Sequence, residues 1–281
     1  MESASQLEHI AMVSESDQVT FSELAKVSAA LQKQATRDLA PIWNISATVD
    51  AFGSLDDVPI DYWPIIVRDD IEVNGAAGIH LDKDGHPFAL VQFSDGWSLT
   101  ASHECLEMLV DPMGNRVKAG KSPKPGQGRV EFLVEVCDPS EADEYSYAVN
   151  GVVVSDFYTP DYFAPASSTG ARYSFTGAIT KPRQVLKGGY LSWHDPVTDH
   201  WFQQLWFGGA KPSFRDLGVF AQANGSIRTQ IYAQTQQAFK VRIPKGKAAL
   251  TASAIFSETV SAGSAKAKTL RAQIKKLLPK K

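Results

Sequence analysis

The spacing of apolar residues along the chain predicts two helices in its first half. Across residues 21–39 they recur at steps of three and four, with Ser22 as the expected N-cap and Pro41 as the residue that ends the helix. Residues 98–111 are apolar around most of the helical circumference, which is typical of a helix inside a core. We therefore expect the second helix to be buried on most of its surface.

Strands are predicted where β-branched and aromatic residues alternate with polar ones. Four such segments precede the buried helix, at residues 45–52, 62–68, 78–82 and 87–93. A turn at Asp84 and Gly85 joins the last two, and Pro87 favours a sheet edge for the fourth because proline cannot donate to a neighbouring strand. After the helix we expect a hairpin around Asn150 and Gly151, a strand at 172–179, and an aromatic hairpin from 190–195 and 200–207.

The remaining segments give the predicted domain organisation. Residues 1–20 are weakly patterned and are expected to be a flexible N-terminus, whereas residues 21–250 form one domain with a C-terminal extension that includes a helix near 227–238. The basic, Gly- and Pro-rich residues 114–128 are expected to be a long loop, either a lid or a surface excursion. Residues 251–281 form a basic tail with a short amphipathic helix at 265–278.

Composition narrows the class of protein. The chain has 281 residues, of which 43% are hydrophobic and 21% charged, so it can bury a sizeable core. Seven basic residues and no acid follow Glu258, so the net charge of −3 hides an acidic body. An acidic body argues against a nucleic-acid-binding domain, while the tail can contact an anionic partner. With no apolar run near the roughly 18 residues of a membrane span and no secretory signal, we expect a cytoplasmic protein.

The buried helix carries a narrow polar face. At about 100° per residue, His103, Glu107 and Asp111 fall in one sector about 80° wide, with Glu104 just beyond it. Such groups are unfavourable in a core unless something pairs with them, and a divalent metal ion would pair with all of them. The alternative is a hydrogen-bonded pair of His103 and Glu107 on the helix surface.

The sequence His103-Glu104-x-x-Glu107 departs from the zinc motif His-Glu-x-x-His at its last position. Zinc accepts carboxylate and imidazole ligands alike, so the spacing predicts His103 and Glu107 as ligands and Glu104 as the general base. A third ligand is expected from the later acidic segment, Asp138 first and Glu135 second. Asp111 is a rival, but it precedes a proline and is more suited to capping the helix. The anionic ligand set also admits Mn²⁺ or Ca²⁺ in place of zinc.

Three nearby residues have a structural and a functional interpretation. His80, on the third predicted strand, could line the site, but we expect a structural histidine with satisfied hydrogen bonds. Cys105 and Cys137 lie next to the candidate ligand segments, and we expect both to be small core residues rather than thiolates.

The order of elements, a helix, three or four strands and then a helix bearing His-Glu, resembles the N-terminal half of a zincin metallopeptidase. This resemblance implies a zincin-like α+β fold with a mixed sheet and an active-site helix, followed by a hairpin-rich C-terminal portion. It also implies that the strand before the helix, residues 88–93, lies at the sheet edge and pairs with an extended peptide substrate.

A second resemblance covers roughly residues 95–165. The run Ser102-His-Glu-x-x-Glu-x-x-x-Asp-Pro112 with the later Glu135-x-x-Asp138 is similar to the plant exordium or phosphate-induced proteins and to bacterial hypothetical proteins. Those proteins carry a zincin-like His-Glu-x-x-Glu helix and a later Glu-Ile-x-Asp segment. The resemblance supports a metal site more than it supports any one reaction.

Two functions remain open at this point. The first is a metal-dependent hydrolase, specifically a zinc metallopeptidase that cleaves peptide bonds with a metal-activated water. The second is a non-catalytic zincin-like binding protein that holds a structural metal or none. The carboxylate of Glu107, in place of the second histidine, is the feature that favours the second function.

Overall fold

The computed structural model describes residues 7–73, 75–221 and 225–239 of the chain, and it has a mixed α+β architecture with several sheets and few helices. The first sheet has the strand order β2-β1-β3-β5-β4. Its strands are β1 (Leu7–Ser14), β2 (Ser46–Ala51), β3 (Tyr62–Arg68), β4 (Gly78–Lys83) and β5 (His86–Gln92). Four of them are parallel, and β4 runs antiparallel to β5.

The strand β1 corrects the expectation of a flexible N-terminus over residues 1–20. It lies inside the first sheet, between β2 and β3, and Ile10, Ala11, Met12 and Val13 are fully buried. A parallel strand covered on both faces has a continuous apolar run and no alternation. The alternation criterion therefore missed it. Residues 1–6 lie outside the described part of the chain.

The first helical region is longer and less regular than predicted. Helix α1 (Phe21–Lys33) is capped by Thr20, not Ser22, in a capping box with Glu23. The chain continues through a π-helical stretch (Gln34–Leu39) into the short helix α2 (Ala40–Trp43). Pro41 does not end the helical region, because it occupies the first turn of α2, where its missing N–H needs no partner.

The sheet edge was assigned to the wrong strand. Strand β5 lies between β3 and β4, so β4, and not β5, is the edge strand at this end of the first sheet. Pro87 is accommodated in β5 because it sits beside the tight turn, opposite Asp82, at the start of the strand. The turn itself was predicted, with Asp84 and Gly85 both at positive φ.

Helix α3 (Trp97–Val110) packs against β4 and β5 of the first sheet and against the hairpin strand β9 (Val152–Val154). Because 12 of its 14 residues are buried, the prediction of a core helix is confirmed. Strand β9 pairs with β8 (Tyr147–Val149) across Asn150 and Gly151, both at positive φ as the turn chemistry requires.

The second sheet is antiparallel, in the order β12-β11-β10-β7-β6. Its strands are β6 (Val117–Lys121), β7 (Arg129–Leu133), β10 (Tyr190–Asp195), β11 (His200–Leu205) and β12 (Ser213–Gly218). The aromatic hairpin is therefore confirmed as β10 and β11. The loop predicted at 114–128 instead contains the edge strand β6, whose lysines suit an exposed edge.

Two further segments complete the comparison. Residues 172–179 do not form a strand, since their only sheet-like contact in the described structure is an isolated bridge from Ser174 to Tyr158. Helix α4 (Ile227–Phe239) confirms the helix predicted near 227–238. The predicted tail, 251–281, and its helix lie outside the described residues.

One apolar core contains residues of both sheets and of helices α1 and α3. It includes Ile10 of β1, Leu31 of α1, Leu106 of α3, Phe132 of β7 and Trp193 of β10. Helix α3 thus lies against the acidic segment that follows β7. None of the described helices combines the length and the apolar character that a membrane crossing requires.

Candidate metal centre

Buried hydrogen bonds fix helix α3 in position. The hydroxyl of Ser102 donates to Gln34 Oε1 at 2.7 Å and accepts the backbone N–H of Ser155 at 2.9 Å. Ser98 donates to the carbonyl of Val153 at 3.1 Å. These bonds tie α3 to the π-helical stretch and to the β9 segment, so the polar face of α3 is held at a fixed orientation.

His103, Glu107 and Asp138 come together at this face. His103 Nε2 lies 3.3 Å from Glu107 Oε2 and 3.3 Å from Asp138 Oδ1. Two ligand atoms at about 2.0–2.1 Å from a tetrahedral zinc ion are about 3.3–3.4 Å apart. Within the described structure, Glu107 Oε2 and Asp138 Oδ1 are buried without a hydrogen-bond partner. His103 is thus close enough to each carboxylate to share a divalent cation with it. The groups of described residues whose ligand atoms all lie within 4.8 Å of one another combine His103 with Glu107 and Cys137, or with Asp138 and Glu141, and none of them holds His103, Glu107 and Asp138 together.

The second oxygen of each carboxylate is held by the protein. Glu107 Oε1 accepts the backbone N–H of Cys137 at 3.1 Å, and Asp138 Oδ2 accepts from Arg228 Nη1 at 2.9 Å. Each carboxylate thus turns its free oxygen toward His103. Outer hydrogen bonds of this kind orient metal ligands in general.

Asp138 is held in position by a close approach between its own backbone segment and the segment that precedes β10. It begins a 3₁₀ turn (Asp138–Ser140) that packs against the start of β10. A Cβ atom at Gly189 would lie 2.6 Å from the carbonyl oxygens of both Asp138 and Pro139, so only glycine fits there without a shift. Sequence reasoning did not identify Gly189, and its proximity to the acidic segment follows from the tertiary fold.

Glu135 has a different environment from Asp138. Its Oε2 lies 3.1 Å from Arg228 Nη1. A carboxylate oxygen of Glu135 also lies within 4.8 Å of oxygens of both Glu107 and Asp138. Between the two sequence candidates for a third ligand, Asp138 faces His103 directly, whereas Glu135 faces the guanidinium.

Arg228 of helix α4 is the charged residue that sequence reasoning missed. It is 2% exposed, and besides its two carboxylate contacts its Nη2 lies 3.5 Å from Glu107 Oε2. The guanidinium packs over the ring of Tyr232 and donates to its hydroxyl at 2.5 Å. Nothing in the local pattern around residue 228 distinguishes this arginine from a surface residue, so only the fold reveals its role.

Glu104 and His80 form the other side of the polar face. Glu104 is 2% exposed, and its Oε2 lies 3.4 Å from Nδ1 of His80, on the edge strand β4. A Cβ at Gly78 would lie 2.6 Å from Glu104 Oε1, so β4 approaches α3 this closely only because residue 78 is glycine. Neither ring nitrogen of His80 has a hydrogen-bond partner among the described residues. The expectation of a satisfied structural histidine is therefore wrong.

The carboxylates perturb one another's proton affinity. Burial alone would raise the pKa of Glu107, but the adjacent His103 and Arg228 hold it well below its usual range. Burial raises the pKa of Glu135 and of Glu141 well above the usual range, and other carboxylates of the cluster add to the effect. Burial would lower the pKa of His103, yet Glu107 and Asp138 raise it well above the usual value. His103, Glu135 and Glu141 therefore bind protons more tightly than the free side chains do, whereas Glu107 binds its proton less tightly.

The other candidates adopt structural roles. Asp111 follows the last residue of α3, and its oxygens accept the backbone N–H groups of Asn115 at 3.1 Å and Arg116 at 2.9 Å, so it holds the turn after the helix. The helix-end carbonyl of Val110 is satisfied by Arg116 Nη1 at 2.9 Å. Both cysteines are buried, and burial raises the pKa of the Cys105 thiol to about 12. Burial also raises the pKa of Cys137 well above its usual value, so neither thiol is ionised near neutral pH.

Comparison with known proteins adds no relative: no family model, no curated protein and no solved structure matches this chain.

Proposed function

We propose that this protein is a metal-dependent hydrolase, specifically a zincin-like zinc metallopeptidase whose cation is held by His103, Glu107 and Asp138. The observation that carries the proposal is the pair of 3.3 Å separations around His103 Nε2, next to buried oxygens that the described residues leave without hydrogen bonds. The order of elements, with the first sheet preceding the helix that bears His103, also supports a zincin-like assignment.

The proposed chemistry divides between the cation and the chain. A bound divalent cation would polarise a water molecule and a scissile carbonyl. Glu104, next to His103 on α3, would accept the proton of that water at its carboxylate. Cys137 and Arg228 keep the ligand oxygens of Glu107 and Asp138 in position through the hydrogen bonds described above.

The edge strand β4 supports a peptide substrate. It is one of the two edge strands of the first sheet, and it carries His80 against the polar face of α3. An extended peptide that paired with β4 would lie beside this face, with backbone hydrogen bonds supplying affinity. We therefore propose that a peptide adds to the sheet at β4 and not at residues 88–93.

A non-catalytic binding protein is the second candidate, and one observation favours it. His103 is the most exposed of the three proposed ligands, yet its side chain is only 12% accessible, and Arg228 contacts both remaining ligands. A cluster closed to this degree suits a structural cation that supports the fold. The two functions predict the same metal content and differ in turnover.

Metal content tests the shared premise. We expect purified protein to contain at least one divalent metal ion per chain by elemental analysis, and His103→Ala to lose the ion that this site holds. His86→Ala is the matched control, because His86 is exposed at the far end of the β4–β5 hairpin. Equal metal content in His103→Ala and wild type would contradict the proposed ligand set.

Hydrolysis of a mixed peptide library separates the two functions. We expect cleavage by the wild type, and its loss in Glu104→Gln while metal at the His103 site is retained. Glu131→Gln, a change at a half-exposed carboxylate on β7, should cleave as the wild type does. Full metal occupancy without cleavage would favour the binding protein.

A further inference from the structure

The environment of His80 is unusual for a buried histidine. Its side chain is 1% exposed, and Nδ1 lies 3.4 Å from Glu104 Oε2 and 3.6 Å from Glu107 Oε2. His80 Nδ1, Glu104 Oε2 and Glu107 Oε2 are all buried without a hydrogen-bond partner in the described structure. Leaving such groups unpaired is costly, about 1–3 kcal/mol for each neutral group and more for a charged one.

The separations fit a coordination site better than a hydrogen-bonded dyad. Hydrogen bonds from nitrogen to oxygen are about 2.7–3.2 Å long, shorter than both separations. Ligand atoms around a tetrahedral divalent cation, at bond lengths of about 2.0–2.2 Å, lie about 3.3–3.6 Å apart. His80, Glu104 and Glu107 each offer a ligand atom, and these atoms all lie within 4.8 Å of one another.

Glu107 connects this group to the centre described above. Its Oε2 lies 3.3 Å from His103 Nε2 on one side and 3.6 Å from His80 Nδ1 on the other. Among the described residues, no group of ligand atoms within 4.8 Å of one another contains both histidines, so each histidine approaches Glu107 separately. One oxygen shared by two cations would hold them about 3.5–4 Å apart, the usual separation in two-metal sites.

The charges of the buried carboxylates also favour a second cation. Four carboxylates of the cluster are at least 96% buried: Glu104, Glu107, Glu135 and Asp138. The permanent cation that the described structure places among them is Arg228, which contacts Glu107, Glu135 and Asp138. Glu104 receives no contact from that guanidinium among the described ion pairs and instead faces His80. A cation on the His80 side would therefore compensate a buried charge that Arg228 leaves unpaired.

We propose that His80, Glu104 and Glu107 form a second divalent-cation site, and that Glu107 bridges it to the site at His103 and Asp138. The inference rests on the proposed function and extends it to two-metal hydrolysis, in which one cation holds the attacking oxygen and the other the leaving or carbonyl oxygen. A water molecule would complete the coordination of the second ion. In the doubly loaded protein, Glu104 would bind the second cation, and that cation would take over from the Glu104 carboxylate the activation of the water.

Metal stoichiometry tests the second site without reference to activity. Protein stripped with a chelator is titrated with Zn²⁺ alone and the bound ion is counted after gel filtration. We expect two ions per chain in the wild type, one in His80→Asn, one in Glu104→Gln and one in His103→Asn. His86→Asn, at the exposed end of the same hairpin, should retain two.

A spectroscopic measurement on the wild type keeps the test independent of folding in the variants. Two Mn²⁺ ions that share a Glu107 oxygen should give an exchange-coupled electron paramagnetic resonance spectrum in place of the six-line spectrum of an isolated ion. Near-ultraviolet circular dichroism establishes that His80→Asn is folded, and His80→Gln replaces it if it is not.

The outcomes separate the two proposals. A wild type that binds one Zn²⁺, lost in His103→Asn and kept in His80→Asn, overturns the second site and leaves the metal-dependent hydrolase standing. Two ions in both the wild type and His80→Asn, or an uncoupled Mn²⁺ spectrum at full loading, also overturn it. No bound ion in any form overturns both proposals.

Discussion

Arg228→Met removes the buried cation that faces the acidic segment and should destabilise the metal-free protein strongly. Arg228 Nη1 lies 2.9 Å from Asp138 and 3.1 Å from Glu135, and all three side chains are at most 5% exposed. Removing one partner of a buried ion pair costs about 3–5 kcal/mol, because the remaining charge is left uncompensated. For a domain of this size, each kcal/mol lowers the melting temperature by about 2–4 °C. We therefore expect a decrease of about 6–20 °C.

Thermal unfolding followed by circular dichroism in excess chelator is the assay. Arg68→Met is the matched control, since Arg68 makes a 2.6 Å ion pair with Glu15 in which both side chains are about 40% exposed. Exposed pairs contribute about 0–1 kcal/mol, so the control should melt within a few degrees of the wild type. Equal melting temperatures for Arg228→Met and Arg68→Met would refute the reasoning.

Added zinc gives the same prediction a second measurement. A ligand at a hundred times its Kd stabilises the folded state by about 2.7 kcal/mol. In Arg228→Met the cation would also compensate the charges on Asp138 and Glu135 that lost their partner. The variant should therefore gain more from Zn²⁺ than the wild type does, and an equal or smaller gain would argue against a cation close to Asp138.

Three further predictions concern the surroundings of the cluster. Gly78→Ala places a Cβ 2.5 Å from Thr100 Cγ2 and should lower the free energy of unfolding by about 1–3 kcal/mol, as measured by urea titration. The control is Gly128→Ala, whose Cβ would meet open space and should leave the free energy of unfolding nearly unchanged. The raised pKa values of Glu135 and Glu141, due first to burial, mean that their contribution to stability is complete below about pH 4.3 and is lost as pH rises through the folded-state values. Chelator-treated protein should therefore melt at a lower temperature at pH 8 than at pH 5, and a rise over this interval would contradict the assignment. Ser102→Ala leaves Gln34 Oε1 and the Ser155 N–H without their buried partner, and should cost about 1–3 kcal/mol by urea unfolding, against almost nothing for the exposed Ser54→Ala.

The local sequence pattern predicted an element correctly where the burial of each residue follows from the repeat of that element alone. The hairpin turn at Asn150 and Gly151 was predicted because both residues need positive φ. The buried helix was predicted because its apolar residues cover most of its circumference. For the same reason, the polar face that includes His103 and Glu107 could be read directly from the sequence.

The sequence pattern gave the wrong prediction where neighbouring strands decide whether a strand is covered on both faces or lies at a sheet edge. Strand β1 is covered on both faces and so lacks alternation, and β5 is internal because β4 folds back outside it. Pro87 is a weak guide to the edge, since a proline beside a tight turn does not disrupt the pairing that follows.

The sequence by itself determined the helix of the site, its polar face, and the acidic segment from which a third ligand could come. Only the tertiary structure decided that Asp138 faces His103, that Glu135 faces Arg228, and that His80 lies against Glu104. The physical reason is that helical spacing relates residues a few positions apart, whereas these contacts join β4, α3, the segment after β7 and α4. Their mutual distances depend on the packing of whole elements, which no local period encodes.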